Sequence, residues 1–265
     1  MSSNLTTYLG ITIGTGRQWL TYAALDDDRA VLALGQGPLE AVLAFAAGQS
    51  RALAAVDCAA RPNLGLMDRA DVRTQLNPPP TPGRWTNMRV AEYQLANLGF
   101  AAPRTPGVDQ ASLPRVKRGF GLVRQLEELG YVPYPAEEQA RQWLETPVEA
   151  VFWAWLGGKP YPAGTLESRL QRQLALFEQG LPIPDPMDFF EEVTRYRLLK
   201  GALPLKQIYA AGECSALAAA QMAWLADHEP DAVMRLGDAR EGEIVLPVVT
   251  RRAEEVVHPF QKSLD

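Results

Sequence analysis

The order of short apolar segments at the start of the chain limits its possible folds more than any other feature. Three such runs, at 8–13, 19–23 and 30–34, are rich in β-branched, aromatic and alanine side chains. Only a glycine-rich turn and a run of three aspartates separate them, so the pattern predicts an antiparallel β-meander.

A helix and a fourth strand follow the meander. Apolar residues recur at helical spacing through 38–48, and residues 52–56 form an apolar run that ends at Asp57. A strand, a helix and a strand in this order favour a right-handed crossover and parallel pairing. The sequence therefore predicts an α/β fold with a mixed sheet, in which parallel strands follow three antiparallel strands, flanked by helices.

The region 58–118 is punctuated by proline and glycine, including a run of three prolines at 78–80. We interpret it as an irregular insertion with a short helix at 87–98, packed beside the sheet of one domain spanning 1–265. The C-terminal half is predicted to be mainly helical. A fifth strand is expected to end at Glu145, Ser215 is expected to cap the last helix, and a strand, a turn and a strand follow. The other predicted helices cover 116–129, 148–156, 166–178, 188–199 and 216–227.

Charge is spread unevenly along the chain. The net charge is −5, yet residues 61–124 contain ten Lys/Arg and four Asp/Glu, a balance of +6 that leaves −11 for the rest. Such asymmetry is typical of a surface for an anionic partner, although solvated surface arginines give the same count. We find no signal peptide and no apolar run of about 18 residues, and there are only two cysteines. We therefore expect a cytoplasmic protein with reduced thiols and no membrane partner.

Several catalytic classes are disfavoured by the motifs. The glycine-rich stretch 10–16 joins strand to strand, whereas a dinucleotide-binding loop opens a helix, so a hairpin turn explains it more simply. The only histidines, His228 and His258, lie near no serine motif, and with two cysteines they form no recognised zinc-ligand spacing.

Three carboxylates stand where an α/β sheet could bring them together. Asp57 and Glu145 end predicted strands, and Glu213 precedes the last long helix. Sites in such sheets form at strand ends, and carboxylate oxygens suit Mg²⁺ or Mn²⁺. Two such ions could activate water and stabilise the leaving oxygen of a phosphodiester. Each acid alone could equally cap a helix or pair with an arginine.

This arrangement resembles the RNase H-like fold. More closely, the chain resembles the bacterial and archaeal proteins described as predicted nucleases of RNase H fold, domain-of-unknown-function family 429. The resemblance runs over most of the chain. It is carried by "YLGITIG", "AAVDCAARP", "RVAEYQLANLGFAAPRTP", "WLETPVEAVFWAWLGGKPYPAGTLESRLQRQLALFEQGL", "DPMDFFEEVTRYRLLKGALP", "GECSALAAAQMAWLA" and "GDAREGEIVLP".

The resemblance implies a metal-dependent site with one defect. It places catalytic and metal-binding acids at Asp57, Glu145 and Glu213, with Mg²⁺ or Mn²⁺ as cofactor. The first strand of such a nuclease carries an aspartate where this chain has Thr12, and a second helix acid is replaced by Ser215. A neutral hydroxyl is a poor ligand beside a carboxylate, so activity would be impaired.

Three functions follow as hypotheses. The first is a metal-dependent nuclease, and the second is an inactive member that binds nucleic acid or protein. The third is an ATP-binding protein, because "LGITIGTGR" also resembles the first phosphate loop of sugar kinases. The fold further predicts that Cys58 and Cys214 lie near each other. The candidates to contact phosphate or nucleic acid are Arg61, Arg69, Arg73, Arg84, Arg89, Arg115 and Arg118.

Overall fold

The computed structural model describes residues 5–14, 19–81, 83, 85–102, 104–107 and 114–249. Within these residues, no helix is both long enough and apolar enough to cross a bilayer.

The strands of the described residues form one mixed sheet in the order β3-β2-β1-β4-β6-β8-β7, with β5 beside β6. β1, β2 and β3 are antiparallel, whereas β4, β6 and β8 continue the sheet parallel to β1, and β7 returns antiparallel to β8. This confirms the predicted fold class. The strands are β1 (Thr7–Ile13), β2 (Leu20–Leu25), β3 (Val31–Gly37), β4 (Ala52–Asp57), β5 (Val132–Pro133), β6 (Arg141–Glu145), β7 (Val233–Asp238) and β8 (Gly242–Pro247).

Helices cover both faces of the sheet. Alternation along β1 directs Tyr8 to one face, where α5, α6 and α9 pack, and Leu9 and Ile11 to the other, where α1 and α4 pack. The helices are α1 (Leu39–Ala47), α2 (Ala70–Thr74), α3 (Val90–Asn97), α4 (Pro114–Glu128), α5 (Val148–Leu156), α6 (Leu166–Glu178), α7 (Asp188–Glu192), α8 (Arg195–Leu199) and α9 (Ala211–His228).

The long helix α9 packs directly on β1 and its neighbours β2 and β4. Gly10 permits this approach, because a Cβ at that position would lie 1.9 Å from the carbonyl oxygen of Ala216. The alanine-rich sequence of α9 serves the same purpose, since small side chains let the helix backbone come close to the sheet.

The insertion has a small apolar cluster of its own, which contains Leu66, Met67 and Tyr93. Its helix α3 packs against β7 at the edge of the sheet. The predicted packing of this region beside the sheet is therefore present in the structure.

Two details of the helices differ from the sequence prediction. The predicted helix at 188–199 is interrupted, because Val193 is extended and the Thr194 side chain accepts a hydrogen bond from the Arg197 N–H to begin α8. Ser215 does not cap α9, which begins four residues earlier; instead the Glu213 carboxylate accepts the Ala210 N–H at 2.6 Å.

The two cysteines are free thiols but do not lie in one cluster. Cys58 lies near Gly119 of α4, whereas Cys214 belongs to the first turn of α9 and is buried on the opposite face of the sheet. The predicted proximity is therefore wrong, because β4 ends at Asp57 and the next residue turns toward the other face.

Candidate functional site

The ends of β1 and β4 bring Thr12 and Asp57 together. They are paired residues of the parallel ladder, and the Thr12 hydroxyl donates to Asp57 Oδ2 at 2.9 Å. Alternation along β4 places Asp57 on the same face as Leu53 and Ala55, which is the face covered by α9.

Two further groups bind the Asp57 carboxylate. The backbone N–H of Val148, the first residue of α5, donates to Oδ1 at 3.2 Å. The guanidinium of Arg115 lies 3.5 Å from Oδ2, and the same nitrogen is 3.4 Å from the Asp57 carbonyl oxygen. A hydroxyl, a helix N-terminus and a cation therefore surround this acid.

Burial dominates the protonation of Asp57. Its desolvation raises the pKa above the ordinary aspartate value, and the negative charge of Glu149 acts in the same direction. Arg115, the Thr12 hydroxyl and the Val148 N–H oppose the increase, because each stabilises the ionised form. The environment thus favours an acid that keeps its proton to a higher pH than usual.

Glu145 lies on the other face of the sheet. It pairs with Val56 in the ladder and shares the side of Trp143, whereas Leu144 points toward α9. Both of its oxygens are engaged by Arg89, at 3.0 and 2.5 Å, and Oε2 also accepts the Ala60 N–H at 2.8 Å. Glu145 is therefore a buried ion-pair partner and does not face Asp57.

Arg89 belongs to a buried polar network that joins the insertion to the sheet. Besides Glu145 it binds Glu92, at 3.1 Å, and Glu92 in turn accepts hydrogen bonds from the backbone and hydroxyl of Thr105. The fully buried Glu241 accepts backbone N–H groups of Leu64 and Val90. Because Arg89 is only 2% exposed, its predicted contact with a phosphate is wrong.

Glu213 lies at the same end of the sheet as Asp57. The start of α9 is close to β2, since a Cβ on Gly212 would lie 2.9 Å from Thr21 Oγ1, and Thr21 pairs with Thr12. The Glu213 carboxylate caps its own helix through the Ala210 N–H.

Two of the candidate arginines lie at this site. Arg115 contacts Asp57, and Arg118, one turn further along α4, donates to the Gly14 carbonyl oxygen at 3.0 Å. The side chain of Arg115 is 54% exposed.

The other candidate arginines lie elsewhere. Arg84 falls outside the described residues. Arg61 forms an ion pair with Glu127, Arg69 pairs with Asp71 at 2.7 Å, and Arg73 donates to the Met67 carbonyl oxygen at 2.7 Å. The six candidate arginines that the structure describes therefore do not lie on one surface.

The donor set at Asp57 does not fit two metal ions. Glu145 is turned away and saturated by Arg89, and Thr12 contributes no charge. In the part of the chain that the structure describes, no group of three or more His, Cys, Asp or Glu residues could hold a metal ion.

Comparison with known proteins adds no assignment. No protein-family model matches the chain, and no curated protein matches it. The resemblance to the predicted nuclease family stays a prediction.

The sequence did not predict three groups that the structure places around Asp57 and Arg89. They are the Val148 N–H, which binds Asp57, and the acids Glu92 and Glu241 of the buried polar network. Glu92 lies in the first turn of α3 and Glu241 lies in the turn between β7 and β8, and an acid at either kind of position is ordinarily exposed, so the sequence did not mark them as buried. One signal was readable for the Val148 N–H: Thr146-Pro147 precedes an apolar helical run, and a proline there indicates a helix N-terminus, where the first N–H groups have no partner within the helix.

Proposed function

We propose that this chain binds a nucleic-acid strand through its phosphate backbone, at the first turns of α4 beside Asp57, without cleaving it. The observation that carries the proposal is the position of Arg115, whose guanidinium contacts Asp57 at 3.5 Å where a nuclease would hold a cation. An arginine in this place suits binding better than two-metal hydrolysis.

The charges of α4 support an anionic ligand. Arg115, Lys117 and Arg118 lie in its first two turns, which contain no acid. Cations near a helix N-terminus oppose the helix dipole, at about 0.3–1 kcal/mol each. A phosphate bound near this turn would offset the repulsion between the cations and the helix dipole. Phosphate binding therefore explains why three cations lie at this unfavourable end of the helix.

Binding should be tested by fluorescence anisotropy with labelled single-stranded DNA, single-stranded RNA and an RNA–DNA duplex over a salt series. The combined variant Arg115→Ala and Lys117→Ala should bind more weakly. The slope of log K against log salt should decrease by about 1 for each lost contact.

Arg124→Ala is the matched control, because Arg124 is an exposed arginine of the same helix. Its guanidinium lies 3.9 Å from the Glu128 carboxylate, near the other end of α4. It should bind as the wild type does. Absence of binding at low salt, or equal weakening by the control, would refute the proposal and leave protein binding as the better hypothesis.

Cleavage that depends on a single metal ion is the second candidate, because two acids, Asp57 and Glu213, lie at one end of the sheet, where the donors do not fit a pair of ions. It predicts hydrolysis of mixed DNA and RNA in Mg²⁺ or Mn²⁺ that disappears in Asp57→Asn. Cleavage that persists equally in the variant indicates a contaminating nuclease.

A further inference from the structure

The chain between α6 and α9 forms a helical arm, residues 185–206, which contains α7 and α8. Gln173 of α6, which is 0% exposed, holds the two ends of the arm together. Its amide nitrogen donates to the carbonyl oxygens of Pro184, at 2.9 Å, and Gln207, at 2.8 Å, and its amide oxygen accepts the Tyr209 N–H at 2.8 Å. The base of the arm is therefore fixed to the rest of the fold.

The arm exposes an unusual concentration of apolar side chains. α8 has no buried residue, and its Tyr196 and Leu199, which are 72% and 80% exposed, lie three positions apart and so share one face of the helix. Fourteen large apolar side chains are exposed among the described residues, and six of them lie on the arm. Apolar surface concentrated in this way usually marks an interface. The six are Met187, Phe190, Tyr196, Leu198, Leu199 and Leu205.

Two contacts hold the exposed part of the arm in one shape. Arg197 of α8 donates to the Glu192 carboxylate at 2.9 Å and to the Glu192 carbonyl oxygen at 3.2 Å, which joins the two short helices. Phe190 packs edge-to-face on the buried Phe189, with ring centroids 5.3 Å apart. A surface that is ordered before association loses less conformational entropy when a partner binds.

The two halves of the arm carry opposite charge. The first half, 185–194, contains four acids and no Lys or Arg, whereas the second half, 195–206, contains four Lys or Arg and no acid. Apart from the pair of Glu192 and Arg197, none of these side chains forms an ion pair within the part of the chain that the structure describes. The acids are Asp185, Asp188, Glu191 and Glu192, and the cations are Arg195, Arg197, Lys200 and Lys206.

We propose that two copies of this chain form a homodimer through their arms, about a twofold axis. The acidic half of each arm faces the basic half of the other, which gives the self-complementary surface that a twofold interface requires. The exposed apolar side chains supply the affinity, and the charges set the orientation of the two arms. A nucleic acid or an anionic membrane fits this surface less well, because the four acids of the first half would repel it.

Sedimentation equilibrium of the full chain over a micromolar concentration series tests the assignment. The wild type should reach twice the monomer mass, and the combined variant Tyr196→Ser and Leu199→Ser should raise the Kd of the dimer by about tenfold or more. Leu32→Ser with Leu64→Ser is the matched control, since these leucines are 58% and 54% exposed but lie outside the arm. The control should dimerise as the wild type does. A wild type that stays monomeric, or equal weakening by the control, would overturn the proposal.

Charge reversal tests how the two arms face each other. Asp188→Lys with Glu191→Lys changes the net charge of the arm from zero to +4, and Arg195→Glu with Lys200→Glu changes it to −4. Each variant alone should dimerise more weakly than the wild type, because arms of like charge repel. An equimolar mixture of the two should form a dimer that contains one copy of each. A mixture that stays monomeric would overturn the facing of acidic and basic halves.

Folding and nucleic-acid binding are separable from this test. Every side chain changed in the arm is exposed, so the monomer does not depend on it for folding, and circular dichroism checks this for each variant. The variant Arg115→Ala and Lys117→Ala should dimerise as the wild type does, because both residues lie on α4, outside the arm. Loss of dimerisation in that variant would contradict the assignment of the interface to the arm.

Discussion

Thr12 and Asp57 are opposite each other in the parallel ladder of β1 and β4, and the Thr12 hydroxyl donates to the Asp57 carboxylate at 2.9 Å. The hydroxyl stabilises the carboxylate without adding charge. Thr12 occupies the position at which the resemblance places a metal-bridging aspartate. Its hydroxyl stabilises the Asp57 carboxylate and adds no second carboxylate to the site.

Thr12→Asp should destabilise the protein at neutral pH. Thr12 is 5% exposed, so the change places a second carboxylate beside one whose pKa is already raised by burial. We expect a loss of about 1–3 kcal/mol in the free energy of unfolding, measured with urea. Thr12→Val, which removes only the hydrogen bond, should cost about 1 kcal/mol.

The same unfolding measurement in the presence of Mn²⁺ tests whether Thr12→Asp creates a metal site. If the restored acid completes a metal site, Mn²⁺ should stabilise Thr12→Asp and leave the wild type unchanged. A variant that is as stable as the wild type in the presence of a chelator would contradict the electrostatic argument.

The raised pKa of Asp57 gives stability a definite pH dependence. Because burial makes the folded protein hold this proton more tightly, Asp57 favours folding below its unfolded pKa of about 3.9, and this contribution is lost as pH rises through the folded pKa. Asp57→Asn keeps the shape but does not titrate. The wild type should therefore lose stability relative to the variant as the pH rises above about 4. Urea unfolding at a series of pH values measures this, and a constant difference would be inconsistent with it.

The antiparallel meander and the parallel fourth strand were readable from the sequence, but the face of the sheet on which each strand-end acid lies was not. The meander and crossover appear as short apolar runs with tight turns, whereas β6 is buried on both faces, so hydrophobicity does not reveal which face Glu145 takes. Its partner Arg89 is 56 residues away, in a loop-rich region where no spacing rule applies. The contact of Arg115 with Asp57 is similarly a product of the tertiary fold.

Arg89→Met should be among the most destabilising substitutions of a charged residue. It leaves Glu145 and Glu92 buried without their cation, and breaking such a pair from one side costs about 3–5 kcal/mol. Arg69→Met is the control, because both side chains of the Arg69–Asp71 pair are more than half exposed. It should leave the free energy of unfolding nearly unchanged, because solvent screens an exposed ion pair. Similar effects from the two variants would mean that the buried network does not hold the insertion in place.

Gly10→Ala should prevent α9 from packing on the sheet. The new Cβ would lie 1.9 Å from the Ala216 oxygen and 2.4 Å from the Ala220 nitrogen, and these backbone atoms can move only if the whole helix moves. The expected loss exceeds about 4 kcal/mol, enough to unfold a domain of ordinary stability. In contrast, Gly121→Ala lies within α4 with nothing within 4 Å of its new Cβ, so it should stabilise the protein by about 0.5–1 kcal/mol. Thermal unfolding of both variants measures the difference, and a folded Gly10→Ala protein with an unchanged midpoint would show that α9 does not approach β1 this closely.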